Sequence, residues 1–323
     1  MAVDSGLCVF TDRRTWLTAV ECATGVERWS VKVRHPYGRL AFTASNVIYQ
    51  NGHQELIALD RDTGELVWRH LLLNISGWLH GYERTVVVGG WRGYSDIFGL
   101  DAADGAAMWT YPARGGPVHS TKLHADSNSV AVPEAGGALS FLDMRSGIVV
   151  DQKNLDSNWD QSLESSDGAT AVGRPLILDG GSDYFFCIRG PNRRVERVSV
   201  PRAIRSVNLA SVGECVPFLD ADGAAAVWLL DEQRPIILGH SSWRTRGFLP
   251  FCRLSDRRFV VAIGDGALSV HGGEPPASQS RLRVGKRVST ALAFEDGVLL
   301  VGTGSGDVLG LTVTSASTSS ELG

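Results

Sequence analysis

Residues 56–70 read Leu-Ile-Ala-Leu-Asp-Arg-Asp-Thr-Gly-Glu-Leu-Val-Trp-Arg-His. The apolar run ending at Leu59 has the length and composition of a buried strand. Asp60 can accept hydrogen bonds from the backbone two residues on, which opens a turn. Gly64 supplies the positive φ that lets the chain reverse without a steric cost. A second strand then carries Trp68, a large apolar plate whose N–H needs an acceptor.

The unit returns along the chain. Upstream, Leu17–Gly25 is followed by Trp29, and downstream Phe98–Gly105 is followed by Trp109, each tryptophan four residues after its glycine. Phe141–Gly147 is a fourth copy, so the glycines stand at 25, 64, 105 and 147, at steps of 39, 41 and 42 residues. Tyr184–Ile188 fills the next slot as a strand alone. Val227–Arg234 keeps the aspartate, while Leu268–Gly273 and Val308–Val313 keep only the strand. That makes eight copies.

Ahead of each such strand stands another joined by a tight loop, as Val47–Tyr49 precedes Leu56–Ala58. A further, innermost strand precedes the pair, as in Leu40–Thr43 or Thr290–Phe294. Four strands per repeat, 37 glycines spread through turns and no amphipathic helical window predict an all-β chain. The fold expected is a β-propeller of four-stranded antiparallel blades, eight of them, with seven as the alternative. The first copy lacks room for an inner strand before Cys8, and the last lacks an outer strand after Val313, so one blade at the seam is expected to be incomplete. Residues 1–314 are read as a single domain and 315–323 as a disordered tail.

The Ala-Leu-Asp-x-x-Thr-Gly-x-x-x-Trp pattern at 58–68 resembles the tryptophan-docking repeat of the PQQ-like (quinoprotein) β-propeller family. The copies at 19–29 and 99–109 support it closely. Quinoprotein dehydrogenases of this kind are longer and place a vicinal-cysteine ring over the cofactor. Here Cys8, Cys22, Cys187, Cys215 and Cys252 are scattered, with no adjacent pair and no CxxC, so no cofactor is expected and buried free thiols are. The resemblance also extends to propellers of the bacterial envelope that present loops to partner proteins.

Composition narrows the role. The 323 residues carry a net charge of -4 with 43% hydrophobic and 20% charged residues. This gives no global attraction to nucleic acid or to an anionic membrane. The first sixteen residues have neither a basic n-region nor an apolar run of signal length, and no window has the length of a membrane span. The expectation is a cytoplasmic protein.

Motif chemistry is sparse. Gly302–Asp307 spells a phosphate loop but lies between two strands, which predicts a hairpin turn. Asp220–Gly223 has too few oxygen ligands for calcium and is read as a turn. The eight histidines show no metal-ligand spacing, and no metal site is expected. Asn74-Ile75-Ser76 is a chance sequon without a secretory signal.

One constellation stands out. The slot that enters each innermost strand reads Arg39, Trp78, His119, Trp159, Arg205, Arg246 and Arg287, at steps of 39, 41, 40, 46, 41 and 41 residues. Asp160 and Lys286 lie alongside. Around a propeller channel such side chains would focus positive potential and offer aromatic stacking to an anionic or aromatic small molecule, or to an acidic protein segment. Two functions follow. The first is a non-enzymatic binding scaffold that presents loops and this basic–aromatic mouth to a protein partner or anionic ligand. The second is a small-molecule isomerase, lyase or cyclase, with His119 as proton carrier beside Asp160.

Overall fold

A computed structural model describes residues 1–313 apart from 13–14, 35, 53, 73–77, 91–94, 113–120, 156–168, 171–174, 180–182, 202–203, 208–214, 241–250, 256–257, 265, 273–277, 285–287, 296 and 306. The described strands form eight consecutive antiparallel sheets, the blades of a closed β-propeller. Blade one holds β1 (Ala2–Asp4), β2 (Leu7–Asp12), β3 (Trp16–Glu21) and β4 (Glu27–Lys32). Blade two holds β5 (Pro36–Phe42), β6 (Asn46–Asn51), β7 (Glu55–Asp60) and β8 (Leu66–Leu71). Blade three holds β9 (Leu79–Tyr82), β10 (Thr85–Gly89), β11 (Ile97–Asp101) and β12 (Ala107–Tyr111). Blade four holds β13 (Lys122–His124), β14 (Ser129–Pro133), β15 (Ala138–Asp143) and β16 (Val149–Asn154).

The second half is less regular. The short β17 (Ala169–Thr170) pairs in parallel with β13 at the edge of blade four, and blade five holds β18 (Leu176–Asp179), β19 (Tyr184–Arg189) and β20 (Arg194–Ser199). Blade six holds β21 (Ile204–Val207), β22 (Cys215–Asp220), β23 (Ala224–Leu229) and β24 (Arg234–His240). Blade seven holds β25 (Phe251–Ser255), β26 (Arg258–Gly264), β27 (Ala267–Gly272) and β28 (Ser278–Arg283). Blade eight has three described strands, β29 (Val288–Glu295), β30 (Val298–Thr303) and β31 (Val308–Thr312). Among the described residues the only helical turns are the 3-10 segments Ala125–Ser127 and Ala135–Gly137.

Eight blades are present, and seven are excluded. Among the described residues the last blade has three strands, and so has blade five. The first has an inner strand after all, because three residues suffice when Ala2, Val3 and Asp4 pair with Val9, Cys8 and Leu7. The residues beyond Val313, including the expected tail at 315–323, lie outside the described residues.

Each turn glycine of the repeat has the φ that was expected of it, +71° at Gly25, +73° at Gly64 and Gly105, and +67° at Gly147. The turn closes by a bond from the glycine N–H to the carbonyl four residues back, as from Gly64 to Asp60 at 2.9 Å. The Asp60 carboxylate accepts from the Thr63 amide at 2.8 Å, the Asp62 amide at 3.0 Å and the Thr63 hydroxyl at 3.0 Å. Those donors, the Thr63 amide first, hold the carboxyl below its ordinary pKa.

The tryptophans do not stay in their own blades. Trp29 donates its indole N–H to the Arg61 carbonyl at 2.9 Å, Trp68 to Ala102 at 2.7 Å and Trp109 to Met144 at 2.8 Å. Each indole therefore docks on the turn of the next blade. A Cβ on Gly64 would fall 2.7 Å from the Trp29 ring, one on Gly105 2.7 Å from Trp68, and one on Gly147 2.6 Å from Trp109. The glycine is needed twice over, for its φ and for the closeness of the ring.

Eight apolar cores sit between neighbouring blades. Leu7, Val9, Leu17 and Trp29 of blade one meet Val47, Ile57 and Leu59 of blade two. The series continues around the disc to blades seven and eight, where Cys252, Val260 and Leu268 meet Val288, Leu299 and Val301. The ring closes where Cys8 and Cys22 of blade one meet Leu300 of blade eight. There the Gly6 amide donates to Glu295 Oε1 at 3.1 Å. No described strand pairs blade eight with blade one, so this seam is held by side chains.

Two predictions follow from the dock. Trp68→Ala should cost about 3–5 kcal/mol in urea unfolding, the usual loss for a buried large aromatic. Gly64→Ala should also destabilise, and its loss should shrink by about 1 kcal/mol in a Trp29→Ala background, because part of it is collision with that ring. For the turn, Asp60→Ala should lower stability at neutral pH. Since the folded carboxyl titrates lower than the unfolded one, the difference from wild type should fade as pH drops below about 4.

Candidate functional site

The channel is lined by the inner strands, and β5 adjoins β9 and β1, while β29 adjoins β25 and β1. Of the slot residues, Trp78 stands immediately ahead of β9 as expected. Arg39 and Arg205 lie within β5 and β21 rather than in loops entering them. In β5 the register shifts between Tyr37 and Ala41, which displaces the slot counted from sequence. His119, Trp159, Asp160, Arg246, Lys286 and Arg287 lie outside the described residues. So do Asn74, Ile75 and Ser76.

Trp78 is half-buried, and its buried indole N–H has no hydrogen-bond partner among the described residues. Two residues on, His80 is buried in β9, and its Nε2 lies 2.8 Å from the Thr121 carbonyl and 3.2 Å from the Thr121 hydroxyl. This contact ties the inner strand of blade three to the residue just before β13. His80 is not a slot residue, so the repeat spacing alone does not single it out. Its signal was the i, i+2 relation to Trp78, which places both on one face of a strand.

His124, at the far end of β13, has no exposed surface. Its Nδ1 lies 2.6 Å from Ser127 Oγ, its Nε2 has no partner, and its ring meets Phe141 edge-on at 6.2 Å. Burial pushes its pKa down, Asp126 pushes it up, and Arg193 pushes it down, with a net lowering. His271 of β27, bonded through Nε2 to Ser269 Oγ at 2.8 Å, is lowered by burial too.

All five cysteines are free and buried, and burial lifts the Cys8 and Cys252 thiols to about 12. Thiols held so far from ionisation are structural packing. Among the described residues no group of three or more His, Cys, Asp or Glu side chains could hold a metal ion. Gly302–Asp307 turns between β30 and β31 with the Thr303 amide bonded to the Asp307 carbonyl at 2.9 Å, the expected hairpin. Asp220 closes its own turn by accepting from the Gly223 amide on its carbonyl at 3.0 Å and from the Ala224 amide on its carboxylate at 2.7 Å.

A second surface went unread in the sequence. In blades two to four the outer strand carries a bulge opposite the last residues of the third strand, between Ala58 and Leu59, Gly99 and Leu100, and Phe141 and Leu142. The residues at that bulge, Leu66 and Val67, Ala107 and Met108, and Val149 and Val150, therefore occupy the same place on successive blades. Leu66 is 51% exposed, Met108 40% and the adjoining Ile148 65%. Apolar side chains thus recur along the rim of three consecutive blades. Its signal was the apolar pair before Trp68 and before Trp109, which no core position claims.

Residues 13–228 match the family model described as outer membrane protein assembly factor BamB. The chain belongs to that family of PQQ-like propellers. Similar solved structures include BamB from Moraxella catarrhalis, at 18% identity and a TM-score of 0.65, covering 96% of this chain and 92% of that one. The computationally designed Ika8 protein follows at 14% identity and 0.64, covering 97% and 95%. The C-terminal WD40 domain of Sif2 stands at 12% identity and 0.63, covering 97% and 94%. Among curated proteins no match is found. At these identities the structures speak for the fold.

The two buried histidines carry a pH prediction. Their folded pKa values lie below the unfolded value, so stability is full above about pH 6.5 and falls as the unfolded chain takes up protons below it. A His124→Gln, His271→Gln variant should lose less stability than wild type between pH 7 and pH 5, read by urea midpoints.

Proposed function

We propose that this BamB-family propeller is a non-enzymatic binding scaffold that engages a protein partner, with the basic–aromatic channel mouth as a second contact for an acidic segment or anionic ligand. The observation that carries the reading is the apolar rim of blades two to four. Single exposed apolar residues are ordinary on any surface, but Leu66, Val67, Met108, Val149 and Val150 recur at matched positions, with Ile148 beside them. A rigid disc with such a stripe suits a partner that buries apolar side chains against it. The family supports this reading, since assembly is the role its description names.

The mouth part of the proposal rests on Arg39, Trp78, His119, Trp159, Arg205, Arg246 and Arg287 and their spacing in the sequence. The test compares proteins retained from the source cells by wild type, by a Leu66→Glu, Met108→Glu, Val149→Glu variant and by Arg205→Ala, Arg246→Ala. Charges on the rim should abolish retention of a partner that wild type holds, with melting temperature unchanged. The arginine pair should weaken it in a salt-dependent way. Equal retention by wild type and the rim variant would overturn the scaffold reading.

A further inference from the structure

The indole dock is made three times, from blade one to two, two to three and three to four. Each dock needs two small residues. One is the turn glycine of the receiving blade, Gly64, Gly105 or Gly147. The other lies on the third strand of the donor blade, directly opposite its tryptophan. Ala19 faces Trp29, Ala58 faces Trp68 and Gly99 faces Trp109. A Cβ on Gly99 would fall 2.0 Å from the Trp109 ring. Blade four has Phe141 at this position, and its outer strand offers Asp151 there and no tryptophan.

The seam between blades eight and one has both small residues and no described indole. Gly310 of β31 pairs with Leu300 as Ala58 pairs with Ile48, so it holds the position of the donor-side small residue. Gly25 of blade one has the same φ as the receiving glycines. Among the described residues, nothing lies within 4 Å of where its Cβ would be. Gly64 and Gly105 are buried beneath their indoles, whereas Gly25 and Gly310 are exposed. The other feature of the seam is an uncovered strand. Third strands such as β7 and β15 bury four residues each, but β31 buries none of its five. Val26, 59% exposed, flanks the notch.

Gly190, the turn glycine of blade five, is also open, but the complete outer strand β16 already stands before it. Only at the seam do a strand edge and an indole socket lie open together among the described residues. We infer that the seam is a docking site for an extended, tryptophan-bearing segment of a partner protein. The segment adds to β31 as the fourth strand of blade eight and lays its indole between Gly310 and Gly25. The three internal docks define its chemistry, and strand addition supplies its main-chain bonds. Residues 314–323 of this chain contain no aromatic side chain, so they cannot supply the indole.

The probe is a fluorescent peptide of the protein's own donor strand, residues 64–72, Gly-Glu-Leu-Val-Trp-Arg-His-Leu-Leu, titrated into the full chain. Saturable binding is expected, weakened about tenfold or more by Trp68→Ala in the peptide, as for an aromatic anchor. Gly310→Leu in the protein should abolish it with the melting temperature unchanged, since a Cβ there makes only ordinary contacts, with Val298 at 3.4 Å and Leu300 at 4.0 Å. The rim variant Leu66→Glu, Met108→Glu, Val149→Glu should bind the peptide as wild type does, which separates this site from the proposed scaffold surface. No saturation by about 1 mM peptide, equal binding of the Trp68→Ala peptide, or undiminished binding by Gly310→Leu would each overturn the inference.

Discussion

Everything regular in this molecule depends on one contact, an indole laid flat on a glycine of the neighbouring sheet. A sheet of four strands has two apolar faces and cannot stand alone in water, so each blade must be covered by the next. Apolar side chains provide the cover, but they set no exact distance or rotation. The indole does, because its N–H must reach one carbonyl while its ring needs the space a Cβ would fill. Register, spacing and the direction of the ring follow from meeting both conditions at once.

Among the described residues the contact occupies only the first half of the disc. From blade four onward the interfaces are built differently. At the junction of blades four and five, Phe141 fills the indole position from the third strand, and the Arg193 guanidinium covers its ring at 5.4 Å. The parallel pairing of β13 with β17 adds main-chain bonds at the edge of blade four. The disc thus has a stapled half, whose rim repeats closely enough to line up apolar side chains, and a half held by general packing.

The same asymmetry explains what could be read in the sequence. Blades one to four are legible because the dock restricts identities: glycine at 25, 64, 105 and 147, an acid four residues before, tryptophan four after the first three. Later blades need only alternating apolar residues, so their strands can be placed while their turns blur. The inner strand Ala2–Asp4 was unreadable because three residues carry no period. Position around the channel was harder still. It was counted in residues, and a bulge such as the one spanning Tyr37 to Ala41 changes the count without leaving a mark in composition. The histidine at 80 was passed over for that reason, although its distance from Trp78 holds the information. The rim was invisible because exposed apolar residues look like core until a register shows which way they face.

A seam that, among the described residues, has no shared strand has a consequence for the history of such chains. Among the described residues each blade is cut from one continuous stretch of sequence, and the first and last share no strand. Copying a stretch of about forty residues in the gene would therefore insert one whole sheet and leave every hydrogen-bonded ladder intact. A ring whose ends were interlaced in a common sheet could grow only by preserving both ends of that sheet. Here the number of blades is free to change by duplication, and the junction left behind need only be apolar.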